Sequence, residues 1–163
     1  MSLRTQSNRI VETRKNAEAI LATFRIYEPP VPESLVNKIF GNAHILYLQL
    51  DESIYGFSYR DKTTDRWYIL INNIFSQEIQ RFTLFHELYH ILNGKPGYSK
   101  GTILGNIEEF YADLFSANLL MPYNWFIREW EKTHDIKKMA EIFRVSERAV
   151  EIRLKNKMDY ANV

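Results

Sequence analysis

Ten residues, Arg81-Phe82-Thr83-Leu84-Phe85-His86-Glu87-Leu88-Tyr89-His90, constrain this chain more than any other stretch. Their apolar spacing is helical, and on a helix positions i and i+4 lie one turn apart on nearly the same face. His86 and His90 can therefore converge on one metal ion. Glu87 sits roughly 100° round the helix axis from His86. That places its carboxylate where it can take a proton from a water at the metal without itself ligating. The H-E-x-x-H spacing reads as a zinc hydrolase site, with Glu87 as the catalytic residue.

Two histidines are one donor short, because catalytic zinc sites usually take three protein ligands and leave a fourth position open. The chain has no cysteine, so any further ligand is His or a carboxylate. The best source is Ile107-Glu108-Glu109-Phe110-Tyr111-Ala112-Asp113. Glu109 has Asp113 four residues on, which puts two carboxylates on one helical face. One can bind metal while the other accepts a hydrogen bond from the free ring N–H of a ligand histidine. Glu108 has Ala112 at that offset and no such partner. The expected ligands are thus His86, His90 and Glu109, with Asp113 supporting a histidine. Ala112, Ser116 and Ala117 are small and would let this helix pack closely against the first. The competing reading makes His86 and His90 interior histidines and Glu108, Glu109 and Asp113 a solvated face. His44 opens a strand and His134 lies in a polar connection, and neither is expected to ligate.

Around this pair of helices the pattern is α+β. Residues 7–25 form an amphipathic helix that stops before Pro29-Pro30, and Pro32 to Phe40 forms a short one closed by Gly41. Strand signals follow at 43–50, 54–60 and 66–72, the last two joined by a turn at 61–65. Ser76 is placed to cap the motif helix, which Asn93-Gly94-Lys95-Pro96-Gly97 ends. A loop runs to Asn106, and helices follow at 107–120, 123–132, 136–143 and 146–157. Helices, then strands, then helices argue for a small three-stranded antiparallel or mixed sheet packed on the two site helices. The expected division is a zincin-like metallopeptidase domain at 1–135 and a helix-turn-helix-like segment at 136–163.

Lys and Arg number 21 against 20 Asp and Glu, a net charge of +1, which gives no case for a nucleic-acid or acidic membrane surface. The first fifteen residues are polar and lack an apolar core, and no later run approaches a membrane span. A cytosolic protein is expected.

Residues from about Pro30 to Met158 resemble the ImmA/IrrE-type zinc metallopeptidases. The matching pieces are Tyr68-Ile69-Leu70-Ile71-Asn72, Arg81 to His90, and Glu109-Phe110-Tyr111-Ala112-Asp113-Leu114-Phe115-Ser116-Ala117-Asn118-Leu119-Leu120-Met121-Pro122. In that family the third ligand is a Glu three residues before an Ala-Asn or Ala-Asp pair, which here is Glu109. One departure is Tyr89, where the family commonly has a small residue, and a ring there alters packing or access beside the metal.

The resemblance implies a zinc endopeptidase that cleaves a helix-turn-helix repressor and so switches on mobile-element or stress genes. Manganese or iron suits the same donors. The strand ahead of the motif helix, read as an edge strand, could pair with an extended substrate by β-addition, with Ile71 and Asn72 as substrate-binding residues. Two other readings stay open: a metal-stabilised antirepressor that sequesters its partner without cutting it, and a DNA-binding regulator using residues 136–157. The C-terminal helix carries Arg148, Arg153, Lys155 and Lys157, but Glu147 and Glu151 interrupt that charge. Packing or partner docking is the favoured role for it.

Overall fold

The computed structural model describes residues 3–94 and 103–155. Among them, ten elements follow in the order α1 (Leu3–Thr23), α2 (Leu35–Ile39), β1 (Ala43–Leu48), β2 (Gly56–Asp61), β3 (Arg66–Asn72), α3 (Gln77–Leu92), α4 (Ile103–Leu120), α5 (Tyr123–Thr133), α6 (Ile136–Phe143) and α7 (Glu147–Lys155). The fold is α+β, with a three-stranded mixed sheet.

Helix α3 is the centre. Leu84, Phe85, Leu88, Tyr89 and Ile91 are buried, and so are the polar Arg81, Thr83, Glu87 and His90. A helix buried almost all round needs neighbours on several sides. Sheet and α4 supply two of these, the second closely: Ser116 Oγ donates to the Phe82 carbonyl at 2.9 Å, and Ala112 is fully buried. The small residues of α4 thus let the two site helices approach, as their sequence predicts. Each fully buried Leu or Phe here contributes about 1.5–3 kcal/mol relative to exposure. Helix α1 lies against α4 and buries Ala17 and Leu21.

The strand order is β1-β3-β2, with β1 parallel and β2 antiparallel to β3. The hairpin turn between β2 and β3 closes on Asp65, in the left-handed region at φ 56°, and pairs Asp61 with Arg66. Because β3 lies between two strands, both its edges are already hydrogen-bonded. It is not an edge strand and cannot add a substrate strand, contrary to the expectation above. Ile71 and Asn72 are fully buried, so neither is placed to touch a substrate. Asn72 instead ties the β1–β2 connection. Its Nδ2 donates to the Asp51 and Ile54 carbonyls at 3.0 and 2.8 Å, and its Oδ1 accepts from the Leu50 and Ile74 amides.

Several element ends and caps differ from the sequence reading. Helix α4 begins at Ile103 rather than 107, passing through Gly105, a residue that ordinarily weakens a helix but is buried here. Ser76 holds the N-cap position of α3 in an extended conformation, yet its side chain makes no capping hydrogen bond to the helix backbone. Gly41 does not close α2 in a left-handed turn, since the cap is Phe40. At the other end of α3, Gly94 takes φ 62° and its N–H bonds the Ile91 carbonyl at 3.0 Å, a glycine stop as expected. Lys95-Pro96-Gly97 and Lys157 lie outside the described residues.

The C-terminal helices pack on one another. Ser146 Oγ accepts from the Ala149 amide at 3.2 Å, capping α7. Arg153 turns inward rather than to solvent: it is 4 % exposed and its Nη2 donates to Asn118 Oδ1 on α4 at 3.0 Å.

Candidate active site

Helix α3 presents His86 and His90 one turn apart, and their Nε2 atoms face each other at 3.2 Å. Helix α4 brings the Glu109 carboxylate to both: Oε2 lies 3.3 Å from His86 Nε2 and Oε1 3.4 Å from His90 Nε2. Tetrahedral coordination at nitrogen and oxygen bond lengths of about 2.0–2.2 Å sets neighbouring donors roughly 3.3–3.5 Å apart. The two imidazole nitrogens stand at about that spacing, and each has one Glu109 oxygen at a similar distance, so these three side chains could hold one metal ion. Glu87 is beside them: ligand atoms of His86, Glu87 and His90 all lie within 4.8 Å of one another, a group that could hold a metal.

Asp113, one turn beyond Glu109 on the same face, reaches the other side of the first imidazole. Its Oδ1 is 2.7 Å from His86 Nδ1. An imidazole whose Nδ1–H donates to Asp113 presents Nε2 as its lone-pair nitrogen, the tautomer a ligand needs. Glu108 goes elsewhere. It is buried and its Oε2 accepts from Arg9 Nη2 of α1 at 2.6 Å. The two adjacent glutamates therefore serve two different neighbours.

The electrostatics follow from these contacts. Burial by itself lowers the His86 pKa, but hydrogen bonds to Asp113 and Glu109 and the nearby charges of Asp113 and Glu87 outweigh it and raise it to about 9. Hydrogen bonds from His86 and then His90 hold the Glu109 carboxyl far below the usual carboxylate range. A cation at this point meets a committed anion and displaces a proton from the histidine, the normal exchange when metal binds.

The Tyr89 ring meets the His90 imidazole edge-on, with centroids 5.8 Å apart. The Tyr89 ring also packs on Phe115, with centroids 5.6 Å apart, and its hydroxyl accepts from Arg9 Nη2 at 2.8 Å. The large residue at this position is absorbed between α3, α4 and α1. Arg9 thereby grips Tyr89 and Glu108, the neighbours in sequence of His90 and Glu109, while its guanidinium lies 3.9 Å over the Tyr111 ring. Nothing in the sequence singles out Arg9, because its partners lie 80 and 99 residues away. Nor does the sequence single out Ser58. It is buried on β2 and donates from Oγ to Glu87 Oε2 at 2.8 Å. The alternation of β2 shows only that Gly56 and Ser58 share a face.

The IrrE N-terminal-like domain (Peptidase_M78) matches residues 42–155, most of the chain. The chain belongs to this peptidase family. The family domain takes in the whole sheet, both site helices and the C-terminal helices through Lys155, while α1 with Arg9 precedes it. No curated protein matches the chain. Among solved structures it is similar to a Mycobacterium tuberculosis transcriptional regulator at 16% identity and a TM-score of 0.68. The similarity covers 92% of this chain and 48% of that one, so the chain spans about half that protein's length. At such identity the likeness shows a shared fold. No helix of the described residues is long and apolar enough to cross a membrane.

Proposed function

We propose that this chain is a zinc-dependent endopeptidase whose substrate is a helix-turn-helix transcriptional repressor. One observation carries the chemistry: on a peptidase-family domain, two imidazoles and the Glu109 carboxylate converge at 3.2–3.4 Å with Glu87 alongside. His86, His90 and Glu109 would hold the ion. Bound there, zinc supplies Lewis acidity, acidifying the attacking water and polarising the scissile carbonyl.

The remaining work belongs to the chain. Glu87 takes a proton from the attacking water and later delivers it to the leaving amine, which restores the carboxylate for the next cycle. Asp113 holds His86 in the ligating tautomer. Burial of Glu87 and His90 keeps bulk water from screening the charges that develop. A regulatory setting agrees with the similar structure, that of a transcriptional regulator, and with the repressor-cleaving role that the family resemblance implies. Helices α6 and α7 fit partner docking better than DNA reading, because one of their basic side chains, Arg153, is buried.

The test is mass spectrometry of a helix-turn-helix repressor encoded beside this chain's gene, incubated with the purified protein. One chelator-sensitive cut, restored by zinc and absent with Glu87→Gln, is the expected result. An intact repressor that co-purifies equally with wild type and Glu87→Gln overturns the reading in favour of sequestration. Metal analysis of the purified protein decides zinc against manganese or iron.

A further inference from the structure

Gly56 and Ser58 lie one strand repeat apart on the same face of β2, and both meet α3. A Cβ at Gly56 would stand 2.7 Å from Thr83 Cγ2 and 2.7 Å from the Leu70 carbonyl oxygen, closer than a side chain tolerates. Two residues later Ser58 Oγ reaches Glu87 Oε2 at 2.8 Å. The spacings match: two strand residues advance about 6.7 Å and the four helical residues from Thr83 to Glu87 about 6 Å. Gly56–Thr83 and Ser58–Glu87 are successive rungs of one strand-on-helix contact. The missing side chain at the first rung sets the separation that the hydroxyl bridges at the second.

We propose that Ser58 is a positioning residue for Glu87, pinning Oε2 so that the carboxylate keeps one orientation beside His86 and His90. The proposal rests on the peptidase reading for its catalytic consequence, though not for the contact itself. Glu87 is buried, and an unpinned glutamate could choose among several side-chain rotamers there. Oε1 makes no hydrogen bond among the described residues, which leaves it to exchange the proton. The serine backbone is committed to the ladder opposite Ile69, so the strand holds the hydroxyl rigidly. Glu87 serves as general base only if its oxygen stays within hydrogen-bond reach of the attacking water. A displacement of about 1 Å at such a group can cost roughly 100-fold in rate.

The test compares wild type, Ser58→Ala and Ser58→Thr as full chains. The Glu87 side-chain carboxyl carbon is followed by NMR in 13C-glutamate-labelled, zinc-loaded protein and assigned with Glu87→Gln. A single resonance in wild type should move or broaden in Ser58→Ala and return in Ser58→Thr. On the repressor substrate, Ser58→Ala should lower kcat about 10- to 100-fold with KM unchanged, and Ser58→Thr should recover most of it. Zinc affinity, read by competition with a chromophoric chelator, should be the same in all three. An unmoved Glu87 resonance or an unchanged kcat in Ser58→Ala overturns the proposal, and so does a loss of zinc affinity that parallels the loss of rate. If wild type cuts nothing, the peptidase reading fails while the resonance still decides whether Ser58 positions Glu87. Should Ser58→Ala not fold, Ser58→Cys, a weak donor of similar length, takes its place with the same expected direction.

Discussion

Neighbouring glutamates on one helix, Glu108 and Glu109, should fail in opposite ways when each is changed to Gln. Glu108 accepts from Arg9 at 2.6 Å, with side-chain exposures of 10% for the glutamate and 25% for the arginine. Breaking a fully buried pair by removing one partner destabilises by about 3–5 kcal/mol. Arg9 is a quarter exposed and retains Tyr89 and the Tyr111 ring, so it can rehydrate in part. An estimate of about 1–3 kcal/mol follows, and the isosteric amide favours the lower end. For a domain of this size that lowers Tm by about 2–12 °C, at roughly 2–4 °C per kcal/mol. Metal binding should be nearly untouched, because Glu108 points away from the histidines. Glu109→Gln should do the reverse. Its carboxylate faces both imidazoles, and losing even an outer supporting group weakens metal binding about 10- to 100-fold, so a lost ligand should cost at least about 100-fold. Thermal unfolding in excess chelator measures the first effect without metal, and zinc titration against a chromophoric chelator measures the second. Equal rises in Kd for the two variants would refute the assignment of Glu109 as the third ligand. So would an unchanged Kd in Glu109→Gln.

Asp113→Asn should raise the zinc Kd about 10- to 100-fold while leaving Tm of the metal-free protein nearly unchanged, since Asp113 is largely exposed; calorimetry and chelator competition check the two halves. Gly56→Ala forces a Cβ to 2.7 Å from a backbone carbonyl and a helix side chain and should destabilise by about 1–3 kcal/mol in urea unfolding. Adding Thr83→Ser, which removes the methyl but not the Leu70 carbonyl, should recover only part of that loss. Arg153→Met should cost about 1–3 kcal/mol by the same measurement, because it leaves buried Asn118 Oδ1 without the arginine at 3.0 Å. Unfolding midpoints equal to wild type for Arg153→Met would return this residue to the solvent-facing role its sequence suggests.

Local pattern made the α+β class and most helix and strand positions readable, because hydrophobic periodicity and helix stops are properties of short windows. Spacing also separated Glu109 from Glu108: the offset to Asp113 places two carboxylates on one face whatever the helix packs against. Gly105 shows where short windows mislead, since a glycine argues against helix until burial favours it. Strand order was not readable. Three apolar runs look alike whether the last is central or at an edge, and inserting β3 between β1 and β2 depends on a crossover that no window of sequence contains. With β3 central, Ile71 and Asn72 are buried in the sheet.

The sequence by itself determined which of these residues share a helical face, because helical geometry alone brings His86 to His90 and Glu109 to Asp113. Tertiary structure decided everything that crosses between elements. Only folding turns Tyr89 inward to Arg9, spends Glu108 on that same guanidinium, and lays Gly56 on Thr83 so that Ser58 reaches Glu87. Residues up to 99 positions apart carry no local trace of one another. Their meeting is set by how α1, α4 and the sheet pack around α3.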